Sequence, residues 1–169
     1  MSNKPKIVSS IRTIRFQDCD PFNHLNNGRY FDYFMNARED QLIEFFGIDI
    51  YELAKKTGLS WVVGSTKIAF LRPAFLMEKI LIESQTIGYS NKDLLVEMRM
   101  YNEDKSQLKC VVWFNFVHYN LATQKVERHS EEWMKLYEEI CLPIDEKSFD
   151  ERHASLQAQK IQIKDAQTV

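Results

Sequence analysis

A short polar segment places a carboxylate just ahead of a predicted helix. Residues 15–30 read RFQDCDPFNHLNNGRY, with Asp20 a few residues before the helix begins. The first N–H groups of a helix lack intrahelical partners and carry partial positive charge, so they can polarise a carbonyl and stabilise an oxyanion. A nearby carboxylate can attack such a carbonyl or deprotonate a water molecule. These residue types at this spacing therefore favour acyl transfer.

Other interpretations of the same residues need to be weighed. An Asp-rich loop before a helix more often serves only as a turn and a helix cap. Cys19 is a poor nucleophile candidate, because the flanking Asp18 and Asp20 disfavour its thiolate. No metal-ligand spacing joins the four histidines, His24, His118, His129 and His153. A catalytic role for this loop is favoured because the loop leads into a helix that is unusually apolar and therefore expected to be buried.

The helix expected from Gly28 to Phe46 is apolar around most of its circumference. Surface helices usually carry a narrower apolar face. An Asn cap at the start and Gly47 at the end mark its limits. Its polar positions form one narrow stripe of Asp32, Asn36, Glu39, Asp40 and Glu44. We therefore expect other structure to surround this helix on several sides.

Predicted strands lie on both sides of the helix in the sequence. Alternating β-branched residues predict a strand from Ile7 to Gln17, which the turn at Pro21 ends. Four segments rich in strand formers follow the helix: Ser60–Leu71, Lys79–Tyr89, Leu94–Tyr101 and Leu108–Tyr119. Consecutive strands joined by short polar turns form an antiparallel meander. This order predicts an α+β domain in which one curved antiparallel sheet wraps around the long helix.

The last part of the chain divides into a helix and a polar segment. A helix is expected from Ser130 to Cys141, with Trp133 and Ile140 on its apolar face. Large apolar residues become sparse after Pro143. We predict a single domain over residues 1–142 and a polar tail, which could be helical in part, over residues 143–169.

Composition excludes several classes of function. A formal net charge of -2 provides no basic field for a nucleic acid. No apolar run approaches the roughly 18 residues that a membrane span requires. The segment from Met1 to Ser10 lacks the apolar centre of a signal peptide. Three scattered cysteines form neither a disulfide framework nor a CxxC motif, so a reducing compartment is expected and the protein is predicted to be cytoplasmic.

The segment from Arg15 to Arg38 resembles the signature of the 4-hydroxybenzoyl-CoA thioesterase-like branch of the hotdog superfamily. That signature has the form R-F-x-D-x-D-x-x-G-H-x-N-N-x-x-Y, followed by an Ala-Arg pair. The chain matches it at Arg15, Phe16, Asp18, Asp20, His24, Asn26, Asn27, Tyr30, Ala37 and Arg38. Asn23 replaces the usual Gly, and Asn tolerates left-handed backbone angles. The similarity continues more loosely to about Tyr119.

The resemblance implies a hotdog fold and an acyl-CoA thioesterase, which converts acyl-coenzyme A and water to a free acid and coenzyme A. It implies no metal or redox cofactor. Asp20 would act as nucleophile or general base, and the backbone N–H near Asn27 would polarise the thioester carbonyl. His24 and Asn26 would shape the loop or contact the substrate. Asp18 would hold the loop by accepting backbone hydrogen bonds.

The helix suggests a binding pocket, and the resemblance implies an assembly. The many aromatic rings of the helix suggest an apolar acyl pocket that involves Tyr30, Phe31 and Phe34, although these residues could also be core. Family members usually form dimers and often tetramers, with sites between subunits, so a homodimer or homotetramer is expected. The apolar run Val111–Val117 would offer an exposed strand for pairing.

Two alternatives to an acyl-CoA thioesterase remain open from the sequence. One is the same reaction on acyl groups attached to acyl carrier protein. The other is a non-catalytic, acyl-binding hotdog protein, which the presence of Asp20 disfavours. The phosphates of coenzyme A could meet four basic residues that solvated surface charge explains equally well: Lys67, Arg72, Lys92 and Lys105.

Overall fold

The structure, a computed structural model, describes residues 4–166 and the side chains of residues 4–159. Its strands are β1 (Ile7–Thr13), β2 (Leu59–Phe70), β3 (Lys79–Tyr89), β4 (Asp93–Asn102), β5 (Leu108–Asn120) and β6 (Lys125–Val126). Its helices are α1 (Tyr30–Phe46), α2 (Ile50–Thr57), α3 (Glu131–Ile140) and α4 (Phe149–Ala166). None of the helices within residues 4–166 is long and apolar enough to cross a membrane.

The strands form one antiparallel sheet in the order β1-β3-β4-β5-β2, and β6 pairs with the end of β5. The limits of β2 to β5 agree with the sequence prediction to within one residue. The predicted meander is confirmed for β3, β4 and β5, but β2 pairs with β5 instead of β3, because long-range pairing rather than chain order places it. Bulges at Val63/Ser65 and Thr86/Gly88 bend the sheet. The predicted α+β fold with a curved antiparallel sheet is therefore confirmed.

Helix α1 packs one face against the sheet. Its buried residues recur at three- and four-residue spacing, as an amphipathic helix requires: Tyr30, Phe34, Ala37, Arg38 and Gln41. The apolar members join a core that the sheet supplies with residues such as Ile82, Val96, Met98, Val112 and Phe114. The long helix and the meander thus share one hydrophobic core.

The cover around α1 is less complete than the sequence predicts. Phe31, Ile43 and Phe45 are exposed in the single chain. The sheet, α2 and α3 all contribute residues that lie against this helix, but the expectation that it is surrounded is wrong for these three positions of the isolated chain. The sequence shows that these positions are apolar, but an apolar residue type does not prove burial. The described residues of one chain do not cover these side chains.

Backbone signals set the ends of the elements around α1. Gly47 adopts a φ of 67° and donates its N–H to the carbonyl of Ile43, which ends α1 where predicted. The helix begins at Tyr30 rather than Gly28, because Asn27–Arg29 forms a tighter 3-10 turn. Strand β1 ends at Thr13, because a similar turn occupies Phe16–Asp18. Both turns belong to the loop that carries Asp20.

Helix α2 was not predicted, although its sequence contains the usual signals. Asp49 caps it by accepting hydrogen bonds from the N–H groups of Tyr51 and Glu52. Gly58 ends it with a φ of 71°. The helix follows α1 in the chain, packs against β2, and donates a hydrogen bond from the Tyr51 hydroxyl to Glu39 of α1.

The run Val111–Val117 lies in β5, which is an interior strand between β4 and β2. Val111, Val112 and Phe114 are fully buried. The prediction that this run forms an exposed edge is wrong, since the edges of the sheet are β1 and β2. A continuous apolar run is typical of a strand that is covered on both faces, and composition alone does not separate that case from an exposed edge.

Helix α4 covers part of the other face of the sheet. Phe149 and Leu156 are buried there against Trp113 of β5, with the rings of Phe149 and Trp113 5.5 Å apart. Arg152 donates hydrogen bonds to both carboxylate oxygens of Glu97, at 2.8 and 2.9 Å. The segment that the sequence predicts as a polar tail therefore contains a packed helix. Division of the chain at residue 142 stays a prediction.

Candidate active site

The loop before α1 holds the Asp20 carboxylate by one of its two oxygens. Oδ1 accepts hydrogen bonds from the backbone N–H groups of Phe22 at 2.9 Å and His24 at 3.1 Å. Among residues 4–159, no hydrogen bond to Oδ2 is found. The carboxylate is thus fixed in direction while one oxygen stays available for chemistry.

Backbone pairing fixes this loop to the connection between β2 and β3. The N–H of Leu25 donates to the carbonyl of Ala74 at 2.8 Å, and the N–H of Leu76 donates to the carbonyl of Asn23 at 2.9 Å. Asn23 has a φ of 60°, which confirms that Asn serves the left-handed position where Gly is usual. The His24 ring packs edge-on against Phe75 at 5.1 Å. The segment from 71 to 78 therefore supports the shape of the loop.

Asn26 organises the start of the helix. Its side-chain oxygen accepts from the Gly28 N–H at 2.9 Å, and its carbonyl accepts from the Arg29 N–H at 2.8 Å. Its own N–H donates to the carbonyl of Asp18 at 2.9 Å. In the part of the chain that the structure describes, the N–H of Asn27 finds no acceptor. An unpaired N–H at a helix start is a ready donor for a developing oxyanion.

An open pocket of about 540 Å³ lies beside this helix start. Five of the six predicted site residues line it: Asp20, His24, Asn26, Asn27 and Tyr30. The end of β2 and the residues after it form the opposite wall: Phe70, Leu71, Arg72 and Pro73. The free carboxylate oxygen and the free N–H belong to residues of the same pocket.

Tyr30 forms a buried wall of the pocket. Its hydroxyl accepts a hydrogen bond from the Ala74 N–H at 3.3 Å, and its ring contacts Phe70 edge-on at 5.0 Å. Burial raises the pKa of Tyr30 to about 12, so the phenol stays neutral at physiological pH. Its contribution is shape and polarity rather than proton transfer.

Phe34 does not reach this pocket. Its side chain is fully buried and its ring lies 6.3 Å from that of Phe114 in the core. The structure thus brings five of the six residues together and leaves Phe34 one turn further along the helix, behind Tyr30. A substrate-binding role for Phe34 stays a prediction that its burial does not favour.

Asp18 has a different partner from the one expected. Its carboxylate accepts from the Tyr33 hydroxyl at 2.8 Å, and that hydroxyl in turn accepts from the Arg15 N–H at 3.0 Å. Burial, together with the Asp18 charge, raises the pKa of Tyr33 to about 12. Asp18 therefore ties the loop to α1 through its side chain, while its N–H and its carbonyl join the backbone network.

Arg72 is the one of the four basic candidates that lines the pocket. No ion pair to its guanidinium is found among residues 4–159. Lys105, by contrast, pairs with Glu83 on the far side of the sheet. The sequence did not predict that the residues around Arg72 form a wall of this pocket. They are placed opposite the loop by the pairing of β2 with β5, which joins distant parts of the chain.

The arrangement can perform acyl transfer on a carbonyl compound. A carbonyl oxygen at the Asn27 N–H would leave its carbon accessible to the free Asp20 oxygen or to a water beside it. Within the described residues, no group of three or more His, Cys, Asp or Glu side chains is arranged to hold a metal ion.

The sequence pattern of the thioesterase-like superfamily matches residues 14–158, which is most of the chain. The chain therefore belongs to the thioesterase-like superfamily. This match includes the loop, α1, strands β2 to β6 and the first part of α4, whereas β1 precedes it.

Individual relatives agree with this assignment. The long-chain acyl-CoA thioesterase FadM of Escherichia coli strain K12 is 28% identical over 112 residues, which are 66% of this chain and 83% of that protein. The crystal structure of the probable thioesterase YbaW from Escherichia coli superposes with a TM-score of 0.67 at 25% identity, covering 79% of this chain and 98% of that one. A DHNA-CoA thioesterase from Staphylococcus aureus has a TM-score of 0.72 at 19% identity, over 79% of this chain and 90% of that one. The hotdog fold implied by the resemblance is confirmed.

Proposed function

We propose that this protein hydrolyses the thioester bond of acyl-coenzyme A, with Asp20 as its catalytic carboxylate. Membership of the superfamily makes the chain a thioester hydrolase. The assignment to Asp20 is supported by one observation. Asp20, with its free Oδ2, and Asn27, with its free N–H, line the same pocket. A carboxylate and an oxyanion donor are the two groups that this reaction requires.

The geometry supports two routes with the same products. In the first, Asp20 Oδ2 attacks the thioester carbon, the C–S bond breaks, and coenzyme A leaves as a thiolate that takes a proton from solvent. Water then hydrolyses the mixed anhydride and restores the carboxylate. In the second, Asp20 removes a proton from a water molecule as that water attacks the same carbon; the C–S bond then breaks, coenzyme A leaves as a thiolate, and the proton passes from Asp20 to the thiolate or to solvent. In both, the Asn27 N–H stabilises the negative oxygen.

Arg72 is proposed to meet a phosphate of coenzyme A at the mouth of the pocket. Its guanidinium is half-buried beside Pro73 and has no carboxylate partner among residues 4–159. Arginine binds phosphate oxygens through charge-assisted hydrogen bonds. Lys67 is exposed on the neighbouring strand and could add positive charge.

The test is release of free thiol from a panel of acyl-coenzyme A substrates, beginning with the long-chain class on which the FadM relative acts. Turnover that Asp20→Asn abolishes supports the proposal. The same acyl groups on acyl carrier protein form the second arm, and preferential hydrolysis there would favour the carrier-protein alternative. Tight binding without thiol release across the panel would favour a non-catalytic acyl-binding protein.

Homo-oligomerisation through β2 is part of the proposal. β2 is an edge strand of 12 residues, longer than the 7 residues of the opposite edge β1. Val62 is exposed on it, and Phe31 of α1 is exposed in the same chain. A long edge strand with apolar side chains invites pairing with another chain. A second copy would cover these residues.

We also propose that the protein works in the cytoplasm. All three cysteines, Cys19, Cys110 and Cys141, are free thiols. Unpaired cysteines of this kind are typical of a reducing compartment. Microscopy of the full-length protein fused to a fluorescent tag tests the location.

A further inference from the structure

A second pocket lies at the C-terminal half of α1 and shares no lining residue with the pocket at Asp20. It is a slender cavity of about 70 Å³ between three helices and the sheet. Its walls are apolar and include Met35, Leu42, Phe46, Ile50, Leu136 and Ile140. Two polar side chains, Arg38 and Tyr137, interrupt these walls where the pocket is most buried.

Arg38 is a buried cation without a counter-ion. Its side chain lines the pocket although the residue is only 7% exposed. Its one hydrogen bond in the described part of the chain goes from Nη1 to the Ser84 hydroxyl at 3.2 Å. No carboxylate among residues 4–159 lies within ion-pair distance of it. Buried arginines are ordinarily paired, since an uncompensated charge in an apolar interior is costly.

The groups around Arg38 leave its charge uncompensated. Ser84 donates to the side-chain oxygen of Gln41 at 2.6 Å, so this network is made of neutral groups. Glu39 also lines the pocket, but its carboxylate accepts from the exposed Tyr51 hydroxyl at 2.8 Å. Burial lowers the pKa of Arg38 to about 10, which still leaves it protonated at neutral pH.

Tyr137 supplies an unused hydroxyl beside this cation. The residue is 3% exposed, and its hydroxyl is a buried polar atom without a hydrogen-bond partner in the described structure. The Trp61 indole lies close to it, but its N–H donates to His129 Nε2 at 3.1 Å. Arg38 and Tyr137 line the same small pocket. A buried hydroxyl left unpaired costs free energy that a ligand could recover.

We propose that this pocket binds the carboxylate of a free aliphatic acid, with the carboxylate between the Arg38 guanidinium and the Tyr137 hydroxyl. The hydrocarbon lies along the apolar walls formed by α1, α2 and α3. A carboxylate supplies the missing negative charge and accepts from both donors. The site does not rest on the proposed hydrolytic activity, although that reaction releases acids of this class.

The pocket fits this ligand better than the other candidates. A single water would satisfy the Tyr137 hydroxyl but would leave the Arg38 charge uncompensated and most of the apolar wall without a partner. An intact acyl-coenzyme A would have to bury its phosphates among apolar side chains, which is costly. A linear acid matches both the slender apolar space and the cation at its buried end.

The experiment uses the full-length protein and tryptophan fluorescence. Trp61 and Trp133 line this pocket, whereas the pocket at Asp20 has no tryptophan. Pentanoate brominated on its chain, a short acid chosen for the small volume of the cavity, should quench this fluorescence saturably. The matched brominated alcohol, which lacks the carboxylate, should bind at least about tenfold more weakly, the loss expected for a charge-assisted hydrogen bond.

Two variants identify the groups that bind the carboxylate. Tyr137→Phe removes only the unpaired hydroxyl, so it should fold normally and should weaken acid binding about tenfold without changing binding of the alcohol. Arg38→Met should weaken acid binding further and should abolish the preference for acid over alcohol. Asp20→Asn should leave quenching unchanged.

Three results would overturn the proposal. The first is absence of saturable quenching by the brominated acid at any concentration up to its solubility limit. The second is equal affinity for the acid and the alcohol, which would make the pocket a purely apolar cavity. The third is unchanged acid affinity in folded Tyr137→Phe.

Discussion

At the scale of single residues, the candidate site depends on which polar atoms are left without partners. Asp20 and Asp18 are two positions apart, yet their carboxylates have different surroundings. Asp20 is held by backbone N–H groups at one oxygen only, whereas Asp18 is bound by the Tyr33 hydroxyl. The same residue type therefore has a reactive environment at one position and a structural one at the other.

Asp20→Asn should reduce thioester hydrolysis by at least about a hundredfold, because the amide lacks nucleophilic and basic capacity. Substrate affinity should change little, since Oδ1 can still accept its two backbone hydrogen bonds. Steady-state kinetics on a confirmed substrate measures both quantities. Near-normal turnover in this variant would refute the assignment of Asp20.

Asp18→Asn is the matched control for that experiment. It weakens the hydrogen bond from Tyr33, so we expect a lower free energy of unfolding by about 1–3 kcal/mol. Turnover per folded molecule should fall much less than in Asp20→Asn. Denaturant titration and the thiol-release assay together separate the two effects.

Phe34 should behave as a core residue. Phe34→Ala should lower the free energy of unfolding by about 3–5 kcal/mol, because a fully buried ring leaves a cavity. Relative preference among acyl lengths should stay the same, which Phe34→Leu tests in a better-folded background. Phe16→Ala is the control, since Phe16 is 81% exposed and should change stability little. If Phe34→Leu altered the preference among acyl-chain lengths, Phe34 would be assigned to the substrate pocket after all.

At the scale of secondary-structure elements, helix α4 shows how buried charge can hold an otherwise polar segment. The Glu97 carboxylate is fully buried beneath it. Burial alone would raise the pKa of Glu97, but hydrogen bonds from Arg152 and Trp113 and the charge of Arg99 lower it below its ordinary value. A lowered carboxyl pKa adds stability above the ordinary pKa, and that stability is lost as pH falls through the folded-state value.

Arg152→Met should destabilise the fold by about 1–3 kcal/mol, because Glu97 loses two of its donors while Arg99 still partly neutralises it. Denaturant titration at neutral pH measures the loss. Lys55→Met removes one partner of an exposed pair with Glu52 and should change stability by less than about 1 kcal/mol. Equal effects of the two substitutions would show that α4 contributes no more than a surface ion pair.

At the scale of the whole molecule, the exposed apolar residues bear on whether the protein associates with further copies of itself. Phe31, Ile43 and Phe45 of α1 are exposed, and β2 is an unpaired edge in the described chain. The sequence prediction of a homo-oligomer rested on the family resemblance and on Val111–Val117, which the structure places inside the sheet. Within the described chain, the expectation is now supported by β2 and by these exposed residues of α1.

The full-length protein should have the mass of a dimer or tetramer by light scattering at micromolar concentration. Val62→Lys places a charge on the β2 edge and should shift the mass toward the monomer. Ile11→Lys places the same charge on the opposite edge, β1, where the exposed side chain should tolerate it. A monomeric wild-type protein, or dissociation by Ile11→Lys alone, would contradict assembly through β2.

The sequence by itself determined what local chemistry controls. The strand meander, the end of α1 at Gly47 and the left-handed Asn23 follow from turn, capping and propensity signals within a few residues. The site loop could be predicted for the same reason, because Asp20 and Asn26 form their hydrogen bonds within their own segment.

Tertiary structure alone decided which residues meet across the sequence. The position of β5 inside the sheet, the burial of Phe149 and the exclusion of Phe34 from the pocket depend on strand order and on packing between distant segments. The meeting of Arg38 with Tyr137, 99 positions later in the chain, is of the same kind. Periodicity identifies an apolar or polar side chain, but only the long-range pairing of strands and helices determines what covers it.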